Sequence, residues 1–151
     1  MKKFDFRLEK VLKLRQGREE EIQVLLAQAR DRYNNAIDQL ERLQAHREKI
    51  AHQLENFKEN PYGIEDLLIY QGYIETLDRQ IGRQYLQTVK LGEEVQNVRN
   101  QLMEASRDKK MIETVKTRHH QRYKDEQRRA ENCFFDEVGS IQCARKLIRE
   151  Q

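Results

Sequence analysis

The side chains of this chain best suited to chemistry are four histidines, two cysteines and 26 carboxylates, and their spacing limits what they can do. His119 and His120 are adjacent, so on a helix they diverge by about 100° and cannot grip one metal ion. No H-E-x-x-H pair is present, and no G-x-x-x-x-G-K-[ST] or G-x-G-x-x-G loop to cradle phosphate. Cys133 and Cys143 would stand about 15 Å apart along a helix axis, too far for a bridge; free thiols are expected. Carboxylates become acids or bases where a concave pocket shifts them and excludes water, and the elements deduced below offer none. No catalytic, cofactor or metal site is predicted, and the chain reads as a non-enzyme.

The elements that would have to position such groups are long helices. Charged residues make up 36% of the chain and the apolar set only 37%, with six glycines, one proline and no tryptophan. That is too polar for a compact globule and suits exposed helices. Disorder would need apolar residues scattered without a period, and they are not. The net charge of +3, with signs interleaved, reads as a solvated helix surface and is too small to argue for nucleic acid. The most basic stretch, 118-RHHQRYKDEQRR-129, is broken by Asp125 and Glu126. The start, MKKFDFRLEKVLKLR, lacks the unbroken apolar core of a secretory signal. No apolar run is longer than four residues, as at Leu67 to Tyr70, so no stable membrane insertion is expected. The chain is placed in the cytosol.

Spacings of three and four alternate without a break from Leu8 through Leu12, Arg15, Glu19, Ile22, Leu26, Ala29, Tyr33, Ala36, Leu40, Leu43, Arg47, Ile50 and Leu54 to Phe57. The alternation resumes at Leu67 and runs through Tyr70, Ile74, Leu77, Ile81, Gln84, Thr88, Leu91, Val95 and beyond to Lys116, His119 and Tyr123. A period of 3.5 held this long is that of a left-handed coiled coil. Between the two stripes stands 59-ENPYGIED-66, with the only proline. Pro61 breaks a helix and biases Asn60 away from helical geometry, while Gly63 frees the backbone. The expected fold is all-α: a long antiparallel two-helix coiled-coil hairpin forming a single domain over 1–151. Its helices are expected at about 5–59 and about 65–149, joined by a turn at 60–64 within the broader break at about 58–66, the second helix being longer.

Folding at that turn makes facing positions sum to 124, so that Phe57 meets Leu67, Ile50 meets Ile74, Arg47 meets Leu77, Tyr33 meets Leu91 and Ile22 meets Leu102. Ala29 and Ala36 are small and leave room for Tyr33. Arg15 and Glu19 fall opposite Lys109 and Ala105, and a Glu19–Lys109 pair would fix register at some cost in stability. In this register the second helix outlasts the first, leaving an unpaired overhang at about 120–151. There the stripe slips from Ala130 to Phe134 and Val138, a stutter, and continues through Ile141, Ala144 and Ile148 beside Phe135 and Leu147. Such an exposed stripe marks a binding site or a surface that self-associates or folds back. Gly139 weakens the helix there by about 1 kcal/mol relative to Ala. Just past the turn, Ile69 and Tyr73 lie outside the seam, as a docking surface or as a widening of the seam near the loop.

The opening FRLEKVLKLRQGREEE resembles the FliJ family of flagellar type III export proteins, whose F-x-L-x-x-V-L-x-x-R start precedes a glutamate-rich stretch. Here the residues are Phe6, Leu8, Val11, Leu12 and Arg15, followed by Glu19 to Glu21. The segment 70-YQGYIETLDRQI-81 is similar to a second stretch of that family. The resemblance covers nearly the whole chain. It implies a non-enzymatic flagellar protein-export component without cofactors, an antiparallel hairpin resembling the γ stalk of rotary ATPases. It implies binding to the hexameric FliI-like export ATPase, contact with the FlhA-like export gate, and links to export chaperones. It also implies a cytoplasmic location, peripheral to the inner-membrane export apparatus, in bacterial flagellum biogenesis and so in motility and chemotaxis.

Placed on the open end, the ATPase-ring contact falls to Phe6, Leu8, Val11, Leu12, Phe134, Phe135, Val138 and Ile141. By motif position the gate contact falls on Tyr73, Leu77, Gln80 and Gln84, with polar residues at the last two and with Leu77 and Gln84 also in the seam. The equivalent stalk of a virulence-type secretion system shares the architecture but fits the opening motif less well. A generic coiled-coil tether, dimerising through residues 134–148, is the alternative from another class. Sedimentation separates it, since a tether dimerises with concentration and a stalk stays monomeric.

Overall fold

The computed structural model describes residues 4–59 and 63–149. Two helices account for nearly all of them: α1, Glu9–Glu59, and α2, Ile64–Arg149. They run antiparallel as a helical hairpin, and no strand occurs among the described residues. Both helices are rich in Leu, Glu, Gln, Arg and Lys, which lose little side-chain freedom in a helix. α2 passes through Gly139 unbroken, so that single glycine is outweighed by its neighbours.

The predicted turn residues Asn60, Pro61 and Tyr62 lie outside the described residues. On their far side the Gly63 carbonyl accepts the Asp66 N–H at 3.1 Å, and Glu65 and Asp66 place carboxylates in the first turn of α2, where they suit its positive end. At the other terminus the helix expected from about residue 5 begins at Glu9. Residues 4–6 are non-helical, and the Phe6 carbonyl accepts the Glu9 N–H at 2.9 Å in a tight turn. That turn lets the Phe6 ring be buried against α2. Burial of a large ring outweighs one further turn of helix.

The chain divides into two compact units. One comprises Glu19–Glu104, the parts of α1 and α2 on either side of the turn. Its core is the predicted stripe: Ile22, Leu26, Ala29, Ala36, Ile50 and Leu77 are buried. The larger of these side chains each contribute about 1.5–3 kcal/mol by leaving water. Thr88 is buried too, and its hydroxyl donates to the Gln84 carbonyl at 2.8 Å, so no buried polar atom is left orphaned there. Gln84 reaches across the seam, its Nε2 donating to the Ala36 carbonyl at 3.1 Å and to Gln39 Oε1 at 3.2 Å. Tyr33 is half-buried, with its ring over the backbone of Gly92.

The other unit comprises Met1–Arg18 and Ala105–Gln151. Phe6 and Ala105 are buried in it. Arg15, expected across from Lys109, instead bonds Asp108 through Nη1 at 2.7 Å: a cation beside a carboxylate is favoured over a cation beside a cation. Lys116 pairs with Glu9 at 2.7 Å.

Every predicted stripe residue from Leu12 to Phe57 and from Leu67 to Lys116 is buried or half-buried, whereas Leu8 and His119 are exposed. Register agrees as well. Gly92 lies against Tyr33, Arg47 against Asp78, Arg15 against Asp108 and Phe4 against His120. In each pair the residue numbers sum to within two of 124.

Candidate functional site

Two surfaces carry the predicted site residues, one in each unit. In the unit Glu19–Glu104, Tyr73 is exposed on α2, and its hydroxyl shares a 2.9 Å hydrogen bond with His46 Nε2 of α1. The two rings also meet edge to face at 5.8 Å. One turn further along, Arg47 Nε donates to Asp78 Oδ1 at 2.6 Å. That hydrogen bond, reinforced by the opposite charge, holds the Asp78 carboxyl below the ordinary carboxylate range and the Arg47 guanidinium above its own. Ile69, beside Tyr73 on the outer face, is exposed.

The four gate candidates are therefore not equivalent. Tyr73 and Gln80 are on the surface. Leu77 is only 3% exposed and belongs to the core. Gln84 is half-buried and spends its amide on Ala36 and Gln39. Leu77 and Gln84 thus position the helix that presents Tyr73 and Gln80.

In the unit Met1–Arg18 with Ala105–Gln151, the non-helical N-terminal residues clasp α2. The Phe4 ring meets His120 edge to face at 4.9 Å and Tyr123 at 5.5 Å. Phe6 meets His119 edge to face at 5.9 Å, with the Lys116 ammonium 6.0 Å from its ring centre. The adjacent histidines diverge, as adjacency requires, and each takes its own phenylalanine. No group of three metal-ligating side chains occurs among the described residues.

The ring candidates separate in the same way. Phe6 is 5% exposed, so its ring packs the clasp rather than facing solvent, and Leu12 is half-buried. Leu8, in the turn just before α1, and Val11, on α1, are exposed. On α2, Phe134, Phe135 and Ile141 are exposed, with Phe134 and Phe135 edge to face at 6.0 Å, and Val138 is half-buried. Phe134 and Phe135 line a shallow apolar groove that begins at Tyr123. Cys133 and Cys143 are free and exposed.

Two features escaped the sequence reading. The His46–Tyr73 link was hidden because His46 lies outside the seam. The seat of Tyr33 on Gly92 was hidden because a helical glycine beside a periodic stripe looks like any solvent position; its signal was a glycine one residue past Leu91, the predicted facing partner of the large ring. Among the described residues, no helix is long and apolar enough to cross a membrane.

No curated protein and no solved structure matches the chain. A family model does: the one described as Flagellar FliJ protein matches residues 3–147 of the 151, and with its two helices, its opening motif and that span in agreement, the chain belongs to the flagellar FliJ protein family.

Proposed function

We propose that this flagellar export-associated chain is a non-enzymatic stalk that seats in a hexameric export ATPase, favours assembly and activity of the ring, and links it to the export gate and to export chaperones. One observation carries the reading: the exposed Phe134, Phe135 and Ile141 on α2. Rings of this size gain nothing from solvent, and a stalk inserted in a ring needs such an end. Val11, exposed on α1, and Leu8, exposed in the turn just before it in the same unit, add to it, and Phe6 and Leu12 hold the clasp that supports them. Tyr73 and Gln80 are assigned to the gate, with Leu77 and Gln84 as their support. The work is mechanical: hydrolysis biases the contacts of the seated end, and the other end conveys the change. The chain acts in the cytoplasm, peripheral to the membrane.

The ATPase rate of the purified export ATPase, with and without the chain and alongside a pull-down of the pair, tests this. The expected result is stable binding and a higher rate, both lost in a Phe134→Ala/Phe135→Ala variant that remains helical. No binding by a folded chain would sink the stalk reading and favour a coiled-coil tether.

A further inference from the structure

The small net charge of the chain conceals two opposite ones. In the unit Met1–Arg18 with Ala105–Gln151, 19 lysines and arginines stand against 10 aspartates and glutamates, while Glu19–Glu104 holds 10 against 16. On α2 the basic excess also has a direction. The stripe from Ala105 to Tyr123 sets the heptads, and positions b, c and f point away from it. Between Arg107 and Arg128 these outward positions hold Arg107, Lys110, Arg118, Lys124 and Arg128 against Asp125 alone. All five cations are exposed, and none has an ion-pair partner among the described residues. Asp125 is half-buried and accepts from Gln121 Nε2 at 3.1 Å. The other charges of residues 105–129 nearly cancel, with Lys109, Lys116, Arg122 and Arg129 against Asp108, Glu113 and Glu126. From Glu131 to Arg149 cations and carboxylates are equal in number. Earlier on the same helix, within Glu19–Glu104, the outward positions are balanced, with Arg79, Arg83 and Lys90 against Glu65, Glu75, Glu93 and Glu104.

Five cations on one face, over about 32 Å of helix, attract an anionic surface. The side chains between them indicate its class. They are Met111, Thr114, Thr117 and Gln121, and the threonine hydroxyls donate to the carbonyls of Lys110 and Glu113. The face has no aromatic ring on which a base could stack and no row of large apolar side chains to enter a bilayer. At its start Arg107, Lys110, Met111 and Thr114 line a shallow groove. Two cations flanking an apolar side chain match a carboxylate carried on methylene groups better than a bare phosphate. We infer that the outward face of α2 from Arg107 to Arg128 docks on a protein surface rich in aspartate and glutamate. Being exposed, these charges set the speed and orientation of encounter and leave the lasting hold to the apolar stripe beyond Ala130. The inference deepens the ring-seating reading and rests on it for the identity of the partner.

The test follows association of the full chain with the purified export ATPase by stopped flow, at low and at moderate salt. Arg107→Gln/Lys110→Gln/Arg118→Gln removes three charges of this face and touches no residue of the groove at Phe134. Arg79→Gln/Arg83→Gln/Lys90→Gln removes three from the same heptad positions in the other unit, and glutamine keeps the helix in both. The first variant is expected to associate about tenfold more slowly and with a flatter salt dependence, the second to match the parent. An unaltered rate in the first variant, or equal slowing in both, would overturn the inference and leave the ring reading standing, since binding itself persists. No binding by the parent would overturn both. Vesicles of anionic phospholipid and duplex DNA are run beside the ATPase. Binding to either that is tighter than to the ATPase, and is weakened in the first variant alone, would assign the face to phosphate and overturn the inference as well.

Discussion

Tyr33 seats its ring on Gly92, with Cε2 3.2 Å from the position a Cβ would take there. A helical glycine ordinarily costs about 1 kcal/mol relative to alanine, and here the missing methyl makes room for a ring. Gly82, on the same helix, has nothing within 4 Å of its Cβ position. Gly82→Ala is therefore expected to raise stability by up to about 1 kcal/mol, and Gly92→Ala to gain less or to lose. Urea midpoints of the two variants check this. Equal gains would show that the ring moves aside freely.

The Arg47–Asp78 pair predicts a pH dependence. The native carboxyl titrates below its unfolded value of about 3.9, because Arg47 bonds its ionised form. Its stabilisation is fully present above that unfolded value and is lost as pH falls through the lower native one. Both partners are solvent-exposed, so the effect is small. Asp78→Asn should lower the urea midpoint near neutral pH, and the gap from the parent should close on acidification below about 4. A gap that persists in acid would assign the effect to something other than this ion pair.

Phe6 and Phe134 should respond in opposite ways to the same substitution. Phe6→Ala removes a buried ring and is expected to cost up to about 3 kcal/mol, seen as faster hydrogen exchange in 4–15 and 105–123. Phe134→Ala removes a ring that is 61% exposed and should leave exchange unchanged while weakening ATPase binding. If Phe134→Ala speeds exchange as much as Phe6→Ala, Phe134 is structural.

If the proposed gate contact is made by Tyr73 and Gln80, Tyr73→Ala and Gln80→Ala should reduce pull-down of the export gate protein without loss of helix. Leu77→Ala should lose stability by about 2–5 kcal/mol, as buried leucines do. Loss of gate binding from Leu77→Ala alone, with Tyr73→Ala and Gln80→Ala unaffected, would place the contact elsewhere.

The hairpin was legible because one physical constraint repeats along the chain: a side chain every 3.5 residues must leave water. That constraint placed Ile22, Leu26, Ala29 and Ala36 in the core and set the register that brings Tyr33 to Gly92. What the period could not convey lies off the seam. His46 and Tyr73 meet on the outside edge, where no apolar pattern marks them. Arg15 found Asp108 one position from its expected neighbour, since a long side chain chooses its partner by charge after the backbone has set the register. The N-terminal clasp was misread as helix because F-x-L-x-x-V has helical spacing. The burial of Phe6 outweighed it, and only packing against α2 decides that. The groove lined by Phe134 and Phe135 was partly visible in the stutter from Ala130 to Val138, but which other side chains line it depends on the face the helix turns outward.

Sequence separation along the seam also orders the hairpin in time. The links His46–Tyr73 and Arg47–Asp78 close loops of 27 and 31 residues, Arg32–Glu94 closes 62, and Arg15–Asp108 closes 93. Each doubling of an open loop adds about 0.6 kcal/mol to its closure, so the short loops close first and every rung formed shortens the search for the next. The ladder is thus completed last, and reopened first, at Arg15, Glu9 and the Phe4–Phe6 clasp. A newly made chain is helical and paired near its turn before the Phe4–Phe6 clasp closes on α2.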